Sequence, residues 1–252
     1  VFDDFDGPRL DRSVWLPHYL PAWSSLAETR ASYLIHDSHL ELSIPPEQGL
    51  WCAGEHEPPL RVSGLQTGNF SGPAGSTIGQ QPFRDGLRVR EQQEEFRGCL
   101  VERGTAGMRA SLYLDRRSMA SLWLVGFEDR PERSGEVCVM EVFGRDAGED
   151  DALVGMGFHA FRDPRLAEDF ERVPLDIDVR EPHAYEVHLD GDEATFRVDG
   201  RVVRILDAPP QYPLQLMLAV FDFPDPPDAP DVAASGHAFV PTLSVDRVWA
   251  SR

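Results

Sequence analysis

Glycine and proline recur so often along this chain that no long helix has room to form. There are 21 of each among 252 residues, spread from end to end. Inside a helix, proline costs about 3 kcal/mol and glycine about 1 kcal/mol relative to alanine. What lies between them is short, and it alternates or is β-branched, with the period of strands rather than helices. Ser38–Ile44 puts Leu40, Leu42 and Ile44 on one face. Ala110–Leu114 and Ser121–Gly126 read as consecutive strands joined by the polar turn Asp115–Ser118. Gly135–Phe143 is another strand, and His183–Leu189, Glu193–Val198 and Arg201–Ile205 form a meander. Asp199-Gly200 supplies a type I′ hairpin signal between the last two. Leu214–Phe221 is a continuous apolar run of strand length, and Thr242–Trp249 alternates again. Many short strands at this spacing predict an all-β sandwich or jelly roll of two antiparallel sheets. The single helical turn expected is Pro164–Phe170.

Two stretches read as loops. Pro45–Gly86 carries eight glycines and six prolines, either one long excursion or several short ones. Phe223–Val232 interleaves four prolines with aspartates and cannot be a central strand. It reads as a solvated loop or as a cleft edge. No internal repeat appears, so residues 1–252 are read as one domain.

Charge excludes whole classes of partner. The 43 acidic residues outnumber 24 basic ones, leaving a net charge of −19. Nucleic acid is disfavoured, since phosphate binding needs a basic surface that releases counterions. An anionic membrane is disfavoured for the same reason. No apolar run approaches the roughly 18 residues of a transmembrane helix. Three cysteines, Cys52, Cys99 and Cys138, allow at most one disulfide and are too widely spaced for a zinc motif.

The segment richest in chemistry is Ser134–Gly144, which sets Glu136 and Glu141 inside an otherwise apolar strand. Residues five apart on a regular strand face opposite ways. A β-bulge near Val139 or Met140 would aim both carboxylates the same way. Two carboxylates about 5–5.5 Å apart are the arrangement for retaining glycoside hydrolysis. Without the bulge, one glutamate faces solvent and the other pairs with an arginine. Spacing alone leaves both readings open.

Gly135-Glu136-Val137-Cys138-Val139-Met140-Glu141 resembles the G-E-I-D-I-M-E signature of glycoside hydrolase family 16, in the laminarinase-like form with two residues before the last Glu. Other landmarks follow in that family's order. Phe2–Trp15 resembles its opening, and Met119–Leu124 stands where the family has W-P-A-F-W-L. His183-Ala184-Tyr185 with Val198-Asp199-Gly200 resembles a later pair of motifs, and Leu243–Trp249 resembles the closing strand. The resemblance spans nearly the whole chain and implies a concanavalin A-like jelly roll. It also implies Glu136 as nucleophile and Glu141 as general acid/base. Trp123 is implied at the cleft and His159 facing the carboxylates, though each also reads as a core residue. A structural calcium on Asp4, Asp6 and Asp246 is implied as well, with no cofactor required for the reaction.

The departures are specific. Cys138 replaces the motif's middle Asp, as a proton-relay substitute or as a small apolar filler. Met119, Ala120 and Leu189 stand where the family has Trp, Pro and Trp, which removes expected sugar-stacking surface. The function expected is a retaining endo-glycosidase on a β-linked polysaccharide, nearest in motif to the β-1,3-glucanases. The alternative is a carbohydrate-binding, lectin-like descendant that lost turnover. A polysaccharide or oligosaccharide partner and a monomeric chain are expected. Such substrates are met outside the cell, which favours secretion, while the lack of a leader leaves a cytoplasmic place open.

Overall fold

The computed structural model describes residues 2–224 and 239–251. The strands in chain order are β1 (Phe2–Asp3), β2 (Tyr33–His36), β3 (His39–Ser43), β4 (Arg61–Gln66), β5 (Gly68–Asn69), β6 (Phe96–Arg97), β7 (Leu100–Val101) and β8 (Gly104–Tyr113). They continue as β9 (Ser118–Gly126), β10 (Glu136–Phe143), β11 (Ala152–His159), β12 (Asp169–Leu175), β13 (His183–Leu189), β14 (Glu193–Val198), β15 (Arg201–Asp207), β16 (Leu214–Asp222) and β17 (Thr242–Ala250).

Two antiparallel sheets hold nearly all of them. One runs β15-β14-β13-β8-β17-β3-β2, with β1 on β17; the other runs β12-β11-β10-β9-β16-β4, with β7 on β16. The sheets pack face to face as a jelly-roll sandwich. The polar turn Asp115–Ser118 does not close a hairpin but carries the chain from β8 in the first sheet to β9 in the second. The β13–β15 meander forms as expected, and Asp199 and Gly200 take φ of 48° and 76°, both left-handed as a type I′ turn requires.

Alternation explains the core. On β9, Ala120, Leu122 and Leu124 point between the sheets, and on β16 Leu214, Leu216, Leu218 and Val220 do the same. Their odd-numbered neighbours Met119, Trp123, Val125, Met217, Ala219 and Phe221 build a second apolar cluster on the outer face of this sheet. Both strands are therefore buried on both sides, which is why β16 reads as an unbroken apolar run. Leu20, Trp23, Trp51 and Leu87, from the connections before β2, after β3 and after β5, roof that second cluster.

Several expectations are corrected or narrowed. Pro164–Phe170 is no helical turn; it is an irregular turn running into β12 at Asp169. Pro45–Gly86 is not one excursion, because β4 and β5 divide it. Leu189 lies in the core between the sheets, so a tryptophan there would not have faced a cleft. None of the three cysteines forms a disulfide. Of Phe223–Val232, residues 225–232 lie outside the described residues; Phe223 stacks on Phe143 with centroids 6.1 Å apart. Among the described residues no helix is long and apolar enough to cross a membrane.

Candidate active site

β10 carries the site. Its register against β9 runs regularly from Glu136↔Val125 to Cys138↔Trp123, then resumes at Met140↔Leu122, leaving Val139 as the extra residue. Against β11 the same slip separates Cys138↔Gly157 from Glu141↔Gly155. This is the β-bulge, and its effect on the side chains is direct. Val137, Val139, Met140 and Val142 all pack between the sheets. Glu136, Cys138, Glu141 and Phe143 are left together on the opposite face. Glycines make room there, because β11 offers Gly155 opposite Glu141 and Gly157 opposite Cys138. A Cβ on Gly155 would come within 3.2 Å of the Glu141 Cβ.

The two carboxyls sit in different fields. Glu136 is pushed up to about 8, by burial first and then by the charges of Glu141 and Glu168; a hydrogen bond from Gln81 opposes this. Glu141 is also raised by burial, but His159, Arg172 and Arg145 pull it back. Of the pair, Glu136 therefore has the more acidic surroundings and keeps its proton more firmly.

Gln81 is a site residue that sequence reasoning missed. Its Nε2 donates to Glu136 Oε2 at 3.0 Å, and its backbone N–H donates to Glu128 Oε1 at 2.6 Å. It does so from a left-handed backbone at φ 44°. Glu128 is itself buried and paired with Arg162. Burial pushes the Glu128 carboxyl up to about 7 against the pull of Gln81 and Arg162.

The expected residues are placed as follows. His159 ends β11 directly opposite Glu136, stacks on Phe170 at 4.5 Å and bonds Glu168 through Nδ1 at 2.7 Å. Trp123 lies on the site face of β9 but is only 4% exposed, so it is a floor beneath other rings rather than an open platform. Its neighbours are Phe221 at 6.0 Å and Tyr19 at 6.5 Å. Cys138 is buried, its thiol directed at the Gly155 carbonyl at 3.8 Å and held protonated by burial and both glutamates.

The calcium set does not assemble. Asp246 is engaged by Arg109, with His39 Nε2 at 3.6 Å, while Asp4 accepts from the Asp6 backbone. Among the described residues no group of three or more acidic, His or Cys side chains is placed to hold a metal ion.

Aromatic surface that the strand motifs lack comes from loops. Tyr19 packs edge-on against Trp51 at 5.1 Å and Phe221 at 5.6 Å, and Trp51 meets Phe83 at 5.2 Å. Tyr19, Phe83 and the largely buried Trp51 border a cleft of about 660 Å³ that Gln81, Glu128, Phe161 and Arg162 also line. A volume of this order suits a small organic ligand or part of a chain. Single aromatics in glycine- and proline-rich loops carry no periodicity, so no sequence signal marked them.

No family model and no curated protein sequence matches the chain. Solved structures do. The chain is similar to the GlcNAcα1-4Gal-releasing endo-β-galactosidase from Clostridium perfringens, with 21% identity and a TM-score of 0.80 over 98% of this chain. It spans only 60% of that enzyme's chain. The laminarinase catalytic domain from Thermotoga maritima matches at 15% identity and a TM-score of 0.63, covering 98% of this chain and 95% of that one. SCLam, a non-specific endo-β-1,3(4)-glucanase from family GH16, matches at 15% and 0.64, covering 98% and 88%. Likeness at these identities establishes the jelly-roll fold.

Proposed function

We propose that this chain is a retaining endo-glycosidase acting on a β-linked glycan. Glu136 attacks the anomeric carbon; Glu141 protonates the leaving oxygen and then activates the water that releases the glycosyl-enzyme. The observation that carries this reading is the bulge at Val139, which turns Glu136 and Glu141 to the same face of β10. Spending an irregularity in a central strand to place two carboxylates on a half-buried face has a cost in core packing and in charge, and bulges of this kind concentrate at active sites. Gln81 fixes the carboxyl of Glu136, and His159 with Arg172 biases Glu141.

The motif suggests a β-1,3-glucan-type substrate. The higher TM-score of the endo-β-galactosidase, 0.80 against 0.63 for the laminarinase, favours a β-galactosidic linkage instead. Aromatic residues from loops, rather than from the family's strand positions, support a substrate other than the plain glucans.

A second reading has its own observation. Cys138 offers Glu136 no charge-assisted hydrogen bond, and Glu136 holds its proton to about 8. A lectin-like descendant would look the same. Reducing-end release from β-galactosidic glycans, laminarin, lichenan, agarose and xyloglucan separates the two readings, with Glu136→Ala as control. Product that vanishes in the variant is the expected result and names the linkage. Retention of a glycan in an affinity gel with no product from any of them would establish the binding reading.

A further inference from the structure

We propose that Phe161 is a sugar-stacking platform, holding a hexopyranose unit of the glycan over the cleft that is also lined by Gln81, the hydrogen-bond partner of Glu136, with Arg162 as the polar edge of the same subsite. The inference rests on the glycosidase reading for the identity of the ligand, but its observations are separate.

Phe161 is 62% exposed and belongs to neither apolar cluster. It also takes φ 46°, a left-handed backbone that is unfavourable for a bulky side chain. Its ring lies 5.8 Å from that of His159, at the edge of the sandwich rather than in either core cluster. Strain of this kind, kept by the surrounding structure, is a mark of binding sites.

The surroundings do keep it. The Asp163 N–H donates to the Ala160 carbonyl at 2.8 Å, closing the turn around Phe161. On one side, the Ala160 N–H donates to Glu168 Oε2 at 2.8 Å. On the other, the Arg162 N–H donates to Ser134 Oγ at 2.9 Å, and Tyr212 bridges Asp163 Oδ2 at 2.7 Å to the Gly135 N–H at 2.8 Å. Ser134 and Gly135 immediately precede Glu136. The turn is thus tied to the backbone that delivers the carboxylate, and the ring is positioned relative to the reacting atoms before any ligand arrives.

The chemistry of the surface fits a pyranose. The negative face of an aromatic ring meets the C–H bonds on one face of the sugar, while the hydroxyls project at its rim. Phe161 and Arg162 line the 660 Å³ cleft together, with Phe83 and Gln81 contributed by another loop. Arg162 has one N–H engaged by Glu128 and, being exposed, has further donors for sugar hydroxyls.

The test uses Glu136→Gln protein on a microarray of neutral β-galactosidic and β-glucan oligosaccharides, so that nothing retained is cleaved. Adding Phe161→Ala is expected to weaken retention about tenfold, and adding Phe161→Tyr to leave it within about twofold. Thermal midpoints monitor the fold, and an exposed side chain gives no reason for them to drop. Equal retention by Phe161→Ala, or no retention of any glycan by Glu136→Gln, overturns the proposal. Wild-type hydrolysis of a glycan whose binding ignores Phe161 would leave the glycosidase reading intact and remove the platform. Phe161-dependent retention with no hydrolysis by wild type would do the reverse.

Discussion

Cys138 is the residue on which the chemistry turns. It occupies the site face between two carboxyls, and its thiol stays protonated because burial and both glutamates oppose the thiolate. A thiol is a weak donor, and Glu136 accepts a hydrogen bond from the Gln81 side chain at 3.0 Å instead. Glu136 is pushed up to about 8 and Glu141 is also raised by burial, so the two titrate as a coupled pair. Double displacement needs Glu136 ionised and the proton on Glu141. The burial and neighbouring carboxylates that raise Glu136 oppose that arrangement. Because only the singly protonated pair can react, kcat/KM is expected to be bell-shaped. Its rising limb should lie above the ordinary carboxylate value and its falling limb near pH 8. Cys138→Asp tests the cause. An aspartate buried there would be protonated, and its O–H would donate a charge-assisted hydrogen bond to ionised Glu136. The proton would then shift toward Glu141, and kcat/KM should rise about 10–100-fold. An unchanged or lower rate, measured across the pH profile, would mean that the thiol does not limit turnover.

At the level of the element, one inserted residue decides what β10 is. Deleting Val139 would restore strict alternation with Glu136, Cys138, Glu141 and Phe143 still on the site face and Val137, Met140 and Val142 still inside, so the fold should survive the deletion. What is lost is one buried valine from the core, at a cost of about 1–3 kcal/mol, and the spacing of the two carboxyls, now four residues apart. A lowered but cooperative midpoint in a thermal melt, with turnover lost, is the expected outcome. A deletion variant as active as the wild type would show that the spacing set by the bulge is not what the reaction needs. The bulge was legible only through the motif: a carboxylate spacing of five cannot share one face of a regular strand, but nothing in the spacing requires that the two share a face. The meander, β3 and β17 were legible directly, since each alternates with one face in the core. β11 and β12 were not. The cleft face of β11 is built from Gly155 and Gly157, which leave no alternating signal, and β12 exposes Asp169, Glu171 and Arg172 at the sheet edge. The roof of the site was illegible too. Tyr19, Trp51 and Phe83 meet only in three dimensions, from connections whose register no pattern fixes.

The whole molecule divides into a sandwich that supplies stability and a cleft that consumes it. Arginines neutralise part of the −19 charge locally: Arg84 and Arg90 on Glu55, Arg204 on Asp169, Arg109 on Asp246. Glu136 and Glu128 differ from these ion pairs because their folded values, about 8 and about 7, lie above that of a carboxyl in water. Below about pH 4.5 both states hold these protons, and the two groups do not affect stability. Between there and pH 7–8 the unfolded chain has released them while the folded protein keeps them, so stability falls as pH rises. Above pH 8 both states are ionised and the loss is complete. With close to two protons retained on folding near pH 6, the slope there is at most about 2.7 kcal/mol per unit. That corresponds to a drop of at most about 5–10 °C per unit in a domain this size. The expected melt series therefore peaks near pH 5–6 and declines to pH 8. Glu136→Gln, which stays neutral at every pH, should flatten the decline by about half and raise the midpoint at pH 8 while abolishing turnover. A variant whose midpoints ran parallel to those of the wild type would show that Glu136 ionises in the fold as it does in water. The raised carboxyl invoked for the catalytic pair would fall with it.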